Sequence, residues 1–570
     1  MRVTKKTSYS YFKHYQIKFF SLSQSWSLYF NCTKLKPAVE ELRLENTQNK
    51  KLTGAAAIVM FSIIFSRLTG FLREMLVTNL IGLNKVGDAY NLAFRVTGLM
   101  YDLLVGGAIS AALIPILSGY IVKKDEENGW KAVGTFINVA MVAMVCVCFA
   151  GVFFAPQLVS IMSQNSDNVD MPLAVELTRI LFPSVAFLMM AGLSTGVLNS
   201  YQRFAAAAYG PTLYNLGSAL SILIFAKSKW GVKGIAFGVM TSAFVYFIFQ
   251  FSFAYRNFKL YRPKFYLRHE GFRRLFKLAI PSLMSSAVVQ INAIITSSFA
   301  VQFPPGSLTA LNTADRTWQM PYGVFAQGMG IAMLPSLSSY FAVGKVEEYK
   351  DTLMKGIKTV LLMTAPAGVG FIVLREPVMR TIFKITSEFN EDTVRLTGSI
   401  LMFFSIALIS QSIVTILNRA FYANNDTKTP LFIGISTIIL NLILSALFMR
   451  YTSLGVSGMA LSYSTVSVVN AVLLLTILNV RMKGIHLGKL FGFLIKIIPA
   501  SVIMGIVLYF LNLIIPGETS SKMTQMINLI IEVTVGVVVY FAVVLLLKVE
   551  EADYYKNMIL TRIKKITLNK

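Results

Sequence analysis

Apolar runs of about twenty residues follow one another along nearly the whole of this chain. Coiled into a helix, a run of that length matches the hydrocarbon thickness of a bilayer. About fourteen such runs are predicted as spans, at approximately 53–81, 88–121, 131–155, 173–202, 209–227, 233–255, 273–302, 309–342, 352–374, 393–423, 429–450, 456–480, 489–514 and 525–548. With 55% of the residues hydrophobic and only 14% charged, a soluble core of this size is excluded. The lack of short alternating segments excludes a membrane barrel. The fold class is therefore an all-α polytopic membrane protein.

The net charge of +26 does not point to nucleic acid, because the basic residues gather in short loops and at the two ends. The loop from Tyr255 to Arg274 carries Arg256, Lys259, Arg262, Lys264, Arg268, Arg273 and Arg274 against Glu270 alone. The tail after Leu547 is basic as well, while Gln157 to Met171 and Gln302 to Ala310 hold no Lys or Arg. By the positive-inside rule both termini are cytoplasmic, as an even number of spans requires. Lys227, Lys229 and Lys233 are an exception in one external loop, where long side chains near a helix end snorkel. Cys32, Cys146 and Cys148 form no disulfide pattern. His14, His269 and His486 are too scattered to bind a metal. Residues 1–51 read as a basic, aromatic cytosolic arm rather than a signal peptide.

The chain also repeats itself. Ala112-Leu113-Ile114-Pro115-Ile116-Leu117-Ser118 echoes Ala332-Met333-Leu334-Pro335-Ser336-Leu337-Ser338. Leu198-Asn199 and Pro211 echo Leu417-Asn418 and Pro430, and Gly231-Val232-Lys233-Gly234 echoes Gly455-Val456-Ser457-Gly458. Each pair is about 220 residues apart, which predicts two parallel six-helix repeats with a substrate site between them. The domains are then 1–51 (arm), 52–256 (first lobe), 257–481 (second lobe), 482–548 (two additional helices) and 549–570 (basic tail).

Charge intrudes on three of the runs. An intramembrane charge costs roughly 2.5–3.5 kcal/mol on insertion scales, so it faces a protein interior or a wet cavity. The first run carries Ser66, Arg67, Gly70, Arg73 and Glu74; the second Asp88, Asn91, Arg95 and Asp102; the eighth Asn312, Asp315, Arg316, Gln319 and Gln327. Residues seven apart share a helix face, which aligns Arg67 with Glu74 and Asp88 with Arg95 and Asp102. Gly70 permits a bend that would bring Arg73 round to Arg67. A cavity built on Arg67, Arg73, Arg95 and Arg316 suits an anion, because guanidinium stays protonated and matches phosphate geometry. Glu74, Asp88, Asp102 and Asp315 would orient the arginines and limit their repulsion in the empty site. The bland alternative is that all these charges form salt bridges fixing helix register. No phosphate-binding loop or hydrolase motif is present, so the chain reads as a transporter, not an enzyme, and needs no cofactor.

Ser66-Arg67 with Gly70-Phe71, Arg73 and Glu74, then Asp88-Ala89-Tyr90, Ala314-Asp315-Arg316 and Leu334-Pro335-Ser336-Leu337-Ser338, resemble the MurJ (MviN) family of lipid II flippases. This family belongs to the multidrug/oligosaccharidyl-lipid/polysaccharide exporter superfamily. The resemblance runs from about Thr53 to the C-terminus. It implies fourteen helices in two lobes in a bacterial cytoplasmic membrane, and cavity residues at Arg67, Arg73, Glu74, Asp88, Arg95 and Arg316. It also implies alternating-access movement of the undecaprenyl-pyrophosphate-linked peptidoglycan precursor to the outer leaflet, a tail groove on the last two helices, and the cell-wall synthesis machinery as a partner. Two departures stand out. Many relatives carry an arginine pair and a glutamate where Tyr101-Asp102 and Gly106 stand here. A sodium site in some relatives uses carboxylates where this chain has Thr296, Asn441 and Ser445, so membrane potential or a monovalent cation both stay open as the drive. An exporter of another lipid-linked polysaccharide and a cation-coupled multidrug antiporter are the alternative readings.

Overall fold

The structure is a computed structural model that describes residues 61–101 (63 excepted), 112–386, 389–515, 521–553 and 556. Among these residues every regular element is helical. Helices follow from the solvent: in hydrocarbon each main-chain N–H and C=O must be bonded within its own segment. In chain order the helices are α1 (64–80), α2 (Lys85–Tyr101), α3 (Ile114–Val122), α4 (Glu126–Phe153), α5 (Ala155–Ser163), α6 (Met171–Ser200), α7 (Phe204–Phe225), α8 (Gly231–Ala254), α9 (Glu270–Ala300), α10 (Ser307–Pro321), α11 (Gly328–Ala342), α12 (Val346–Val373), α13 (Arg375–Phe383), α14 (Glu391–Ala423), α15 (Lys428–Tyr451), α16 (Ser457–Arg481), α17 (Leu487–Ile514) and α18 (Lys522–Leu546). They belong to one unit, Ile58–Lys570.

Among the described residues nine helices are long and apolar enough to cross a membrane. The polytopic all-α membrane fold thus stands. The charged helices α1, α2 and α10 are not among the nine; their described lengths fall short of a full span, at 17 residues for α2 and 15 for α10. Asp102, the residues 1–51 and the end of the basic tail lie outside the described residues.

Helix ends follow local chemistry. Asp170 accepts a hydrogen bond from Leu173 N (3.1 Å) at the start of α6, Asn390 from Thr393 N (2.9 Å) at α14, and Ser521 from Thr524 N (3.3 Å) at α18. Each satisfies an otherwise orphaned first-turn donor. Several spans differ from the sequence reading. α4 and α12 begin several residues before their apolar runs, on the charged turns at Glu126-Glu127 and Glu347-Glu348, because hydropathy detects only the lipid-immersed part of a helix. The run 309–342 is not one regular α-helix either. Pro321 closes α10, a π-turn spans Tyr322–Gln327, and α11 follows. Proline brings no N–H and crowds the preceding turn, and the wider π register absorbs the mismatch.

α6 and α14 are the most enclosed of the candidate spans, with 56% and 61% of their apolar windows buried; for α15 and α18 the figure is 22%. The first two are therefore the cores around which neighbours pack, and the last two turn most of their apolar surface outward. α6 packs against α2, α4 and α8, and α14 against α10, α12 and α16. α9 touches α2, α4 and α15. α17 packs against α12, and α18 against α12 and α13.

One end of the bundle is sealed by hydrogen bonds between segments far apart in sequence. Asn79 Oδ1 accepts from Ile385 N (2.9 Å), and Thr386 Oγ1 donates to Asn79 O (2.7 Å). Ser166 Oγ donates to Val301 O (2.8 Å), and Gln302 Nε2 to Ser163 O (2.9 Å). The Thr78 and Thr313 hydroxyls lie 2.9 Å apart.

Candidate substrate cavity

Below the seal, α1, α2 and α10 enclose two adjoining chambers of about 410 Å³ each. The inner one is bordered by Glu74, Asn91, Arg95, Asp315 and the rings of Tyr90, Phe94, Phe404 and Tyr463. The outer one is bordered by Ser66, Arg67, Gly70 and Asn215. Arg73, Arg316 and Gln319 border both. Residues from three apolar runs thus surround one polar void, as expected of intramembrane charge.

Amides hold the guanidinium groups. Arg67 Nη2 donates to Gln327 Oε1 (2.7 Å), Arg95 Nη2 to Asn312 Oδ1 (2.8 Å), and Arg73 Nη1 to Asn215 Oδ1 at the long limit of 3.5 Å. Arg73 also lies 5.8 Å from the centre of the Phe94 ring, a cation–π arrangement. Among the described residues no carboxylate comes within ion-pair distance of Arg67, Arg73 or Arg316. For these three residues, and among the described residues, the expectation that acids orient the arginines is corrected, and so is the register-fixing salt-bridge alternative. An amide oxygen fixes a guanidinium without cancelling its charge, so the cationic character is left for a ligand.

The acids have other tasks. Asp88 is 1% exposed and borders neither chamber. Its carboxylate accepts from Gly306 N (2.7 Å), Thr309 N (2.8 Å) and Thr309 Oγ1 (2.7 Å). It caps the positive N-terminal end of α10 from another helix. Gly306 itself adopts φ +90°, and a Cβ there would collide with the Leu83 main chain. Asp315 accepts from Trp318 Nε1 (3.0 Å) and Gln319 Nε2 (2.8 Å) on its own helix. Glu74 is 5% exposed, and its Oε1 has no hydrogen-bond partner among the described residues. Asn91 Nδ2 donates to Thr309 Oγ1 (3.1 Å) and Gly87 O (3.1 Å).

Asn215 is the residue that sequence reasoning missed. It is a polar side chain in an apolar run, without charge to draw notice. Its Nδ2 donates to Ser66 O (3.1 Å) while its Oδ1 meets Arg73. α1 continues as helix through Gly70; a Cβ there would lie 3.3 Å from Asn215 Nδ2. The glycine thus makes room for Asn215.

Thr296, Asn441 and Ser445 do converge, joined by Ser462. Asn441 Nδ2 donates to Thr296 Oγ1 (3.2 Å), and its Oδ1 accepts from Ser462 Oγ (3.0 Å) and Ser445 Oγ (3.4 Å). The cluster is neutral, and the amide and hydroxyls spend their polar atoms on one another. It holds no carboxylate, and among the described residues no group of three or more His, Cys, Asp or Glu stands ready for a metal ion. The cluster does not fit a sodium site, which calls for several free hard oxygens.

Comparison with known proteins agrees with this architecture. Residues 77–530 match the family model described as lipid II flippase MurJ. The lipid II flippase MurJ of Burkholderia cenocepacia is 28% identical over 430 residues, 74% of this chain and 82% of that one. The probable lipid II flippase MurJ of Vibrio cholerae is 28% identical over 522 residues, 89% of this chain and 98% of the relative. In three dimensions the chain is similar to a lipid II flippase MurJ in an inward closed conformation (TM-score 0.72, 23% identity, 88% of this chain and 100% of the other). It is also similar to an inward-facing multidrug resistance MATE family transporter of the MOP superfamily (TM-score 0.64, 17% identity, 75% and 98%). At these identities the two structures speak for the fold, and the family match, spanning most of the chain, carries the assignment: this protein belongs to the MurJ family of lipid II flippases.

Proposed function

We propose that the chain moves the undecaprenyl-pyrophosphate-linked peptidoglycan precursor, lipid II, from the cytoplasmic to the outer leaflet by alternating access. The carrying observation is that Arg67, Arg73 and Arg316 border one void and, among the described residues, have no carboxylate within ion-pair distance. A diphosphate offers the charge and geometry that such a set of guanidinium groups matches. Arg73 and Arg316, shared by both chambers, are its docking point. The inner chamber, with its amides, acids and aromatic rings, takes the polar glycan, while the polyprenyl tail stays in lipid.

In this reading the helices form two six-helix lobes and an appended pair, about fourteen spans in all. The packing of α6 on α8 recurs about 220 residues later as α14 on α16, which supports the repeat. Both termini face the cytoplasm of a bacterial inner membrane, so the sealed end faces outward and the outer chamber receives cargo from within. Binding the diphosphate relieves repulsion among the arginines and lets the lobes close behind it. The seal around Asp88 and Thr78 must then part, and the ligand drives this only as far as it binds the two states unequally. No step passes through sodium at the Asn441 cluster. Membrane potential can act directly, at about 2.3 kcal/mol per charge per 100 mV. Cell-wall synthases acting on the delivered precursor are the expected partners. An exporter of another lipid-linked glycan would share the diphosphate site and differ only in cargo.

The test is rescue of a host depleted of its own lipid II flippase, read as growth and as outer-leaflet exposure of lipid II. The wild-type chain should restore both. Arg73→Ala and Arg316→Ala should abolish both at unchanged membrane levels. Full rescue by these two variants removes the cavity reading, and lack of rescue by the well-expressed wild type removes lipid II as cargo.

A further inference from the structure

The last helix carries an acid that transport through the cavity does not use. Glu532 lies ten residues into α18 and is 2% exposed. It heads the face formed with Gly536, Tyr540 and Val544 that packs inward, where Tyr540 Oη donates to Leu362 O of α12 (2.8 Å) and Gly536 lies against Leu508 of α17. No donor among the described residues reaches the Glu532 carboxylate. The carboxylate instead borders a void of about 20 Å³, shared with Asn528 and Gln525 of α18, Asn512 of α17, and Arg380 and Thr381 of α13. That is room for a single water.

The nearby charges are already engaged. Arg380 binds Glu391 through Nε and Nη2 (3.1 and 2.9 Å), with Glu376 at 3.8 Å, and Lys384 binds Glu391 as well. Lys522 Nζ donates to Arg380 O and Lys384 O (both 2.7 Å). The guanidinium at the void's edge disfavours a metal cation there. The void is also too small for a hydrated ion. An ionised carboxylate enclosed in this way without a partner is costly, and a proton removes the charge without needing space.

We propose that Glu532 is a proton-binding site, exchanging with water through the Asn512–Asn528 void, and that its protonated form keeps α18 seated on α13 and against α17. When the proton leaves, the bare charge draws water into the seam and loosens the pair. The proposal does not rest on the identity of the cargo.

The test is covalent labelling of the full-length protein in phosphatidylglycerol-containing vesicles with dicyclohexylcarbodiimide, which reacts with protonated carboxyls in apolar surroundings. Mass spectrometry then reads the peptide that contains residue 532. Labelling at Glu532 should be strong near pH 6 and fall about tenfold per pH unit once above the titration point. It should vanish in Glu532→Gln, which mimics the protonated state. Hydrogen exchange in α17 and α18, corrected for the intrinsic rise of amide exchange with pH, should increase with pH in the wild type and stay flat in Glu532→Gln. Absence of labelling at pH 6, or labelling and exchange unchanged up to pH 9, overturns the proposal. Suppression of labelling by sodium chloride against choline chloride at fixed pH also overturns it, replacing the proton by a metal cation.

Discussion

Amide side chains set the character of the cavity. A carboxylate beside Arg73 would give tighter binding in the empty protein and would compete with a diphosphate, whereas Asn215 orients the guanidinium and leaves its charge intact. Asn215→Asp is therefore expected to lower flipping, read as lipid II exposure, at normal protein levels, and Asn215→Gln to keep part of it. Asp88 acts differently. Asp88→Ala leaves the Gly306 and Thr309 N–H groups buried and bare, and at about 1–3 kcal/mol for each stability should drop by about 2–6 kcal/mol, visible as a lower melting temperature in detergent. Asp426, just before α15, accepts from Lys428 N (3.1 Å), Thr429 N (3.0 Å), Thr429 Oγ1 (2.7 Å) and Arg481. Burial pushes its pKa up, but these donors outweigh that and hold it below the ordinary carboxylate value. A depressed pKa adds stability above the unfolded value of about 3.9 and loses it as pH falls through the folded one. Asp426→Asn should thus melt differently from wild type near neutral pH, and the gap should close only in acid below about pH 4.

At the scale of elements, the π-turn between α10 and α11 is where the backbone serves the site. A Cβ on Gly323 would lie 3.1 Å from Arg67 Nε, whereas one on Gly328 would meet nothing within 4 Å. Gly323→Ala should displace the Arg67 guanidinium from Gln327 and reduce rescue of a flippase-depleted host. Gly328→Ala, in the adjoining turn, should leave rescue unchanged. The run 309–342 announces a helix in the sequence, and Pro321 and Pro335 mark where regularity can fail. The π register itself was not legible, because it depends on how α10 and α11 meet α14. Glu532 shows the reverse case. An acid inside the apolar run 525–548 is plain in the sequence, yet the reading weighed only the clustered charges of the first, second and eighth runs. A lone acid acquires meaning only when packing seals it in.

For the whole molecule, the sealed end and the cavity below it stand for one state of the proposed two-state cycle. Thr78 on α1 and Thr313 on α10 are close enough that the Thr78→Cys/Thr313→Cys pair should form a disulfide on mild oxidation. Locking the seal should stop lipid II exposure, with recovery on reduction, and each single variant should be insensitive to oxidant. Unimpaired transport by the fully cross-linked protein would mean that this end does not open.

The run lengths, the intramembrane charges and the loop bias are local properties of the chain, and hydrocarbon enforces them segment by segment. They suffice for the membrane class, the helical fold and the charged helices, and they motivate the proposal of an anionic cargo. Which charges meet, and through what, is settled between helices remote in sequence. Asp88 leaves the expected cavity to cap α10, amides rather than acids hold Arg67 and Arg73, and the Asn441 cluster is a neutral knot of amides and hydroxyls. Such pairings depend on angles and distances that arise only when several helices pack at once, and no periodicity within one helix encodes them.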